Sequence, residues 1–226
     1  SSLMRVICIT NHDLLPDQKM AEMSYKAWKD TYVDAIDDIA ACHPQAIVLR
    51  EKLLSGIDYT NLYEAVLRKT AAEDTFIIWH DHYEALRLFM RFHRREEWPR
   101  EAFFSGREAK AMTGADFREL KREGIRYGLP CHSMMELSDA VRSDADFIAA
   151  SHIFETECKR GRKPKGTEFL REITSVTDIP VIALGGINTA NAVSCIEAGA
   201  AGVAVMSLAM REDKRALREL VEMQDS

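Results

Sequence analysis

The chain has 226 residues, of which 46% are hydrophobic, and it carries a net charge of −6 at neutral pH. This length and apolar content suffice for one large core, so we expect a single domain over residues 4–226. The negative charge gives no support for a nucleic-acid partner. No apolar run reaches the ~18 to 20 residues of a membrane span, so no membrane partner is expected.

Five cysteines without a C-x-x-C pair predict free thiols in a reducing cytosol rather than disulfides or a zinc site. Cys8 and Cys131 lie in predicted strands, and we expect them in the core. The first three residues precede a methionine and are interpreted as an artificial extension outside the domain. The sequence leaves homo-oligomerisation open.

Short apolar runs rich in β-forming residues are predicted to be strands. There are eight, at Met4–Thr10, Ala46–Leu49, Phe76–Trp79, Ala102–Ser105, Ile125–Cys131, Asp146–Ala149, Pro180–Leu184 and Gly202–Met206. Helical segments separate them. Between the third and fourth strands, Ala85, Leu88, Phe89 and Phe92 have the spacing of one helix face. After the seventh strand, Thr189 is expected to cap the next helix.

The alternation of strand and helix predicts a parallel sheet, in which each unit takes about 28 of the 226 residues. Eight units favour an α/β fold closed into a (βα)8 barrel over an open doubly wound sheet. The fourth strand is the least defined, because either the preceding helix extends through His93 to Trp98 or the strand starts earlier. In a barrel, the loops at the carboxyl ends of the strands share one mouth.

A phosphate-binding site is predicted where the last two strands end. Gly185 and Gly186 follow the seventh strand, and glycines allow backbone N–H groups to approach a ligand closely. Met206 and Ser207 follow the eighth strand and offer further N–H groups. Loops at these two positions often bind phosphate in barrels. The alternative is that the two glycines only form a tight turn.

Cationic side chains follow the second and sixth strands. Arg50 and Lys52 suit an anionic ligand, although Glu51 between them can pair with either in a purely structural ion pair. The basic run from Lys159 to Lys165 is interpreted either as a solvated loop or as a lid over an anion. The lid reading is strongest for Lys159.

Histidines follow the third and fifth strands. His132 is a candidate catalytic residue, because an imidazole takes and gives a proton near neutrality. His80 and His82 flank Asp81 and suggest a metal. No third ligand is evident, so a loop that contacts the ligand is favoured over a zinc site.

These segments resemble the thiamine phosphate synthase/TenI family over most of the chain. The resemblance is firmest from Gly128 to Arg211, in GLPCHSMMEL, ASHIFETECKRG, IPVIALGGI and GAAGVAVMS, and it includes ICITN and IVLREK nearer the amino terminus. The chain looks most similar to the TenI branch, the thiazole tautomerases. Cys131-His132-Ser133 matches the branch's V-H-S, and residues 151–161 match G-H-V-F-x-T-D-C-K-K-G, with Ser151 in place of the first glycine.

The resemblance implies a (βα)8 barrel that isomerises a carboxythiazole phosphate in thiamine biosynthesis, with no cofactor. His132 would relay the proton in this reading. The glycine pair with Met206 and Ser207 would anchor the phosphate. The expected substrate contacts are Arg50, Lys52, Ser133, Thr156 and Lys159.

Two alternatives remain at this point. The synthase branch couples a pyrimidine pyrophosphate to the thiazole phosphate, with a metal held by an N-D pair after strand three and by the aspartate of H-x-G-Q-x-D after strand four. The chain has His80-Asp81 at the first position and residues 103–108, ending in Glu108, at the second. Asp81 and Glu108 are therefore the expected Mg²⁺ ligands of that alternative. The other alternative is a homologue that binds these phosphates without catalysis.

Overall fold

A computed structural model describes residues 4–15 and 24–225, and its parallel strands close into a barrel in sequence order. The strands are β1 (Arg5–Ile9), β2 (Ala46–Leu49), β3 (Phe76–His80), β4 (Glu101–Phe103), β5 (Arg126–Cys131), β6 (Phe147–Ala150), β7 (Val181–Leu184) and β8 (Gly202–Val205). β1 closes the ring, because Ile7 pairs with Ala46 of β2 on one side and with Ala204 of β8 on the other. The predicted (βα)8 barrel is confirmed.

Helices follow the strands and cover the outside of the barrel. They are α1 (Tyr25–Ala40), α2 (Gly56–Thr70), α3 (Tyr83–Phe92), α4 (Gly106–Ala111), α5 (Gly114–Arg122), α6 (Met134–Arg142), α7 (Gly166–Thr174), α8 (Ala192–Glu197), α9 (Ser207–Met210) and α10 (Arg215–Glu222). None of the helices in the described ranges combines the length and apolar character that crossing a bilayer requires.

The core has two layers, because each strand is buried on both faces. One layer fills the inside of the barrel with side chains such as Ile78, Phe147 and Ile182. The other lies between barrel and helices, where Trp79 packs against Tyr59 and Tyr63. Alternate residues of β3 therefore point to opposite layers, as a strand's period of two requires.

Two sequence predictions about α3 differ from the structure. α3 ends at Phe92, and a separate 3₁₀ turn at Arg95–Glu97 precedes β4, so the helix does not continue to Trp98. The predicted face of α3 is wrong, since Leu88 and Phe92 are exposed and Leu86 and Met90 are buried with Phe89. The buried face of α3 therefore also includes Tyr83, at the start of the helix.

The predicted cap at Thr189 is also wrong. α8 begins at Ala192, and the turn before it is held by Asn188 and Asn191. The Asn188 side chain accepts from the N–H groups of Ala190 and Asn191, and Asn191 Oδ1 accepts from the N–H of Asn188. Asparagine side chains satisfy this backbone as well as a threonine cap would.

Four of the five cysteines are buried free thiols, as predicted: Cys8, Cys42, Cys131 and Cys195. Burial raises the pKa of the Cys131 and Cys195 thiols to about 11. The interpreted artificial extension, residues 1–3, lies outside the described residues.

Candidate functional site

A pocket opens at the barrel mouth between the loops that follow β6, β7 and β8. The lining includes six predicted site residues: Gly185, Gly186, Met206, Ser207, Thr156 and Lys159. Ser207 begins α9, and the first N–H groups of a helix have no acceptor within the helix. Backbone N–H groups at the start of α9 therefore lie at the pocket wall, and the predicted phosphate site there stays a prediction.

Close contact between two loops is a second reason for the glycine pair. Gly185 and Gly186 have positive φ angles of +109° and +66°. A Cβ on Gly185 would lie 2.5 Å from the Cβ of His152, and one on Gly186 would lie 2.4 Å from the carbonyl oxygen of Glu155. The two glycines thus pack the β7 loop against the β6 loop and shape the pocket wall.

Ser151 and His152 also line this pocket, and the sequence analysis assigned them no role. Both are buried polar residues directly after β6. Their position at the carboxyl end of a predicted strand was the available signal. The match to a family motif drew attention to Thr156 and Lys159 instead.

Cations gather at the other side of the mouth, around Lys52. Burial lowers the pKa of Lys52 first, and the charges of Arg50, Lys159 and Arg107 lower it further, whereas Asp81 opposes them. Within the described residues, none of these four cations forms an ion pair with a carboxylate. Side chains from the loops after β2, β4 and β6 thus supply unneutralised positive charge to one space. Arg107 was not among the predicted site residues.

Glu51 does not neutralise its neighbours Arg50 and Lys52. It is buried and accepts from the backbone N–H of His12, and its Oε2 lies 2.7 Å from His12 Nδ1. Glu51 therefore contacts the loop after β1 and does not pair with Arg50 or Lys52. Arg50 and Lys52 stay available to a ligand.

An acidic pair lies beside the cations. The backbone N–H of Ser105 donates to Asp81 Oδ1 at 2.7 Å, and its hydroxyl donates to Oδ2 at 2.9 Å. Glu108 accepts from the N–H of His82 at 3.1 Å. Burial first, and then the charge of Asp81, raise the pKa of Glu108. The two carboxylates are thus close enough to repel each other, which is a suitable environment for a cation.

The two histidines near Asp81 have different surroundings. His82 stacks on Tyr59, and its Nε2 lies 2.8 Å from the carbonyl oxygen of Glu51. His80 is buried, and its Nδ1 has no hydrogen-bond partner within the described part of the chain. No group of three potential metal-ligating side chains occurs among residues 4–15 and 24–225.

His132 lies apart from the phosphate pocket. It follows β5, is exposed, and its Nδ1 lies 2.9 Å from Glu136 of α6. Ser133 caps α6 by accepting from the Glu136 N–H. These contacts give both residues a local structural role at the start of α6. Their predicted roles in catalysis and substrate binding stay predictions.

Comparison with known proteins gives a consistent family signal in the carboxyl-terminal half. Residues 106–209 match the family model described as thiamine monophosphate synthase. A thiamine-phosphate synthase of Chloroflexus aurantiacus is 40% identical over 100 residues, which cover 42% of this chain and 46% of that protein. One from Pyrococcus horikoshii is 40% identical over 112 residues, 46% of this chain and 54% of that one. The chain thus spans about half the length of the curated relatives it matches.

The fold likeness extends over nearly the whole chain. The structure of a thiamine phosphate pyrophosphorylase from Pyrococcus furiosus has a TM-score of 0.75 at 21% identity, and the match covers 98% of this chain and 96% of that one. A 3-hexulose-6-phosphate synthase has a TM-score of 0.63 at 12% identity, covering 97% and 99%. At these identities the likeness shows the barrel fold alone.

The comparisons overturn the expectation of a thiazole tautomerase. The matching relatives, at 30–40% identity, are thiamine-phosphate synthases, and nothing in the matches selects the TenI branch. The motifs at His132 and at residues 151–161 are therefore not sufficient to assign the branch. The His132 ring lies 2.9 Å from Glu136 of α6, which gives the histidine a local structural contact.

Proposed function

Because the chain belongs to the thiamine phosphate synthase/TenI family, we propose that it is a thiamine-phosphate synthase. This transferase joins a pyrimidine pyrophosphate to a thiazole phosphate and releases pyrophosphate. The reaction needs two anion-binding regions in one mouth, one for the phosphate that is kept and one for the pyrophosphate that leaves.

The observation that carries the proposal is the cluster of four cations formed by Lys52 and its cationic neighbours, beside Asp81. A single phosphate group is satisfied by a glycine loop and a helix end. Arg50, Lys52, Arg107 and Lys159 supply much more positive charge than that. A pyrophosphate spreads its negative charge over two phosphoryl groups, and cationic side chains stabilise that charge as it develops on a leaving group.

The acidic pair fits a magnesium ion, which prefers one or two carboxylates together with substrate phosphates. Magnesium held by Asp81 and Glu108 would neutralise charge on the leaving pyrophosphate. Ser105 fixes the Asp81 carboxylate with two hydrogen bonds, so its position does not depend on the ligand. Burial and, after it, the nearby charge of Asp81 raise the pKa of Glu108, and a bound cation would offset both effects.

The pocket between β6, β7 and β8 suits the thiazole phosphate. Its donors are backbone N–H groups of Ser207 and its neighbours, and it is lined by Leu184, Ile187 and Leu208 as well as by polar groups. Lys159 lines this pocket and also acts electrostatically on Lys52. It is therefore the residue that connects the two anion-binding regions.

The test is an assay of product formation with the complete chain. We expect thiamine phosphate and pyrophosphate in equal amounts when the pyrimidine pyrophosphate, the thiazole phosphate and magnesium are all present. Omission of either substrate or addition of excess EDTA should remove both products. The products are quantified by chromatography and by a pyrophosphate-specific coupled assay.

A second candidate is a binding protein without catalysis, which is favoured by one observation. The strand-three and strand-four segments lack the asparagine, histidine and glutamine of the synthase motifs, and have His80, Phe103 and Gly106 in their place. Tight binding of both phosphates without any transfer, under the conditions above, would establish this candidate and refute the proposed synthase.

A further inference from the structure

His80 is a buried polar group whose presence the fold alone does not explain. His80 is the last residue of β3, and its side chain points to the same side of the strand as that of Ile78, into the barrel. There its ring stacks on Phe103, with centroids 5.8 Å apart. The side chain is only 4% exposed. Its Nδ1 finds no hydrogen-bond partner in the described residues. A buried, unpaired polar atom costs free energy and calls for an explanation.

The nearest charged group to that nitrogen is the Asp81 carboxylate. Nδ1 lies 3.8 Å from Asp81 Oδ2, which is too far for a hydrogen bond. Two donors that share one cation, each about 2.1 Å from it, lie about 3.0 to 3.5 Å apart in octahedral or tetrahedral geometry. A shift of less than about 1 Å would therefore bring both atoms onto one cation. Ser105 holds the carboxylate in place for such an arrangement.

We propose that His80 Nδ1 is a nitrogen ligand beside the Asp81 carboxylate when a divalent cation binds together with a polyphosphate. The proposal rests on the proposed function only for the identity of that anion. Imidazole suits first-row transition ions, whereas Mg²⁺ prefers oxygen ligands. The site therefore prefers a cation such as Mn²⁺ or Co²⁺ over Mg²⁺. In this arrangement Glu108 is not a ligand, because no three such side chains group together among the described residues, and phosphate oxygens and water supply the remaining positions.

The test uses Mn²⁺ with inorganic pyrophosphate as the probe and the complete chain as the protein. Pulsed electron paramagnetic resonance of the bound Mn²⁺ should show coupling to a ¹⁴N nucleus. His80→Asn offers an oxygen donor at the same place and should abolish that coupling. Calorimetry should show Mn²⁺ affinity about tenfold lower in His80→Asn, with Mg²⁺ affinity unchanged or higher.

His43→Asn is the matched control, since His43 precedes β2, away from the strand ends that form the mouth, and is exposed beside Glu73. It should keep the ¹⁴N coupling and both affinities, and circular dichroism should show that each variant is folded. The proposal is overturned if Mn²⁺ does not bind, if bound Mn²⁺ shows no nitrogen coupling, or if His80→Asn retains it. Loss of the proposed synthase activity is judged separately, by absence of product with every cation tested.

Discussion

Burial and neighbouring positive charges both disfavour the charged form of Lys52. Its pKa is lowered by burial and by three neighbouring cations, so the free protein holds an ammonium group that an anion would stabilise. The carboxylate near Lys52, that of Asp81, already accepts two hydrogen bonds from Ser105. A bound ligand that carries several negative charges would offset the repulsion among the cations around Lys52.

We predict that Lys52→Met weakens binding of inorganic pyrophosphate about tenfold, which corresponds to ~1.4 kcal/mol, near the lower value for hydrogen bonds to charged groups. The salt dependence of binding should also decrease, because one cation is lost. Isothermal titration calorimetry at two salt concentrations measures both effects. Lys26→Met, on the exposed face of α1, is the control and should change neither. Equal losses in the two variants would refute a specific role for Lys52.

Ser105 has two functions that a matched serine separates. Its hydroxyl caps α4 by accepting from the Glu108 N–H, and it also donates to Asp81. Ser55 caps α2 in the same way, accepting from the Asp58 N–H at 3.1 Å, without a carboxylate to position. The pair therefore distinguishes helix capping from positioning of the acidic residue.

We expect Ser55→Ala and Ser105→Ala to lower the free energy of unfolding by a similar amount, about 1 kcal/mol each. Only Ser105→Ala should also weaken divalent-cation binding in the presence of pyrophosphate. Chemical denaturation and calorimetry give the two quantities. If both variants weaken cation binding equally, Ser105 acts through stability alone.

Loops rather than helices determine the shape of the phosphate pocket at the scale of elements. The β7 loop can approach the β6 loop only because Gly186 has no Cβ to meet the Glu155 carbonyl. Gly124, between α5 and β5, also has positive φ, at +79°, but a Cβ there meets nothing within 4 Å. Comparison of the two separates backbone strain from loop packing.

Gly186→Ala should therefore destabilise the protein more than Gly124→Ala, by an additional ~1 to 3 kcal/mol, because it adds a clash to the positive-φ strain. Thermal unfolding of the two variants measures the difference. Gly186→Ala should also weaken phosphate binding, whereas Gly124→Ala should not. Equal stabilities would show that the β6 loop moves away without cost.

The elements also show which parts of the structure the sequence could predict. The strands were found because buried parallel strands are continuous apolar runs, which are visible without any tertiary information. The buried face of α3 was not, because Leu88 and Phe92 are as apolar as Leu86 and Met90, and the sequence alone does not say which pair faces the core. The spacing of apolar residues predicts whether a segment is a helix or a strand. Which face of a helix is buried depends on the elements it packs against.

The site was predictable to a similar extent. Arg50, Lys52, Lys159 and the glycine pair were found because strand ends converge in a barrel. Arg107 was missed, since it lies in a segment that departs from the family motifs. The importance assigned to His132 came from its position after the fifth strand, from the chemistry of an imidazole and from a short motif. Its side chain lies on Glu136, and no property of the sequence alone distinguishes that placement from one in the pocket.

Packing inside the barrel is decided at the scale of the whole molecule. Gly128 of β5 is paired in register with Phe147 of β6, and a Cβ on Gly128 would lie 2.1 Å from the Phe147 ring. That ring in turn stacks on Phe103, with centroids 6.0 Å apart. The barrel interior is thus filled by large side chains from β4 and β6 over a glycine in β5.

We predict that Gly128→Ala lowers the free energy of unfolding by about 1 to 3 kcal/mol through overpacking. Phe147→Leu, introduced together with it, should restore part of that loss, because the smaller side chain vacates the space that the new methyl group needs. A double-mutant cycle by chemical denaturation gives the coupling energy. Additive losses would show that the Phe147 ring does not oppose the methyl group.

The most direct measurement of the central claim is the rate of thiamine phosphate formation by Asp81→Asn relative to the unchanged protein. The claim is that transfer occurs in the part of the mouth where Asp81 lies beside the cations around Lys52. Removal of the Asp81 charge should therefore lower the rate at least about a hundredfold while the fold is kept. Asp30→Asn, on the exposed surface of α1, should have no effect. A rate for Asp81→Asn within twofold of the unchanged protein would contradict the account.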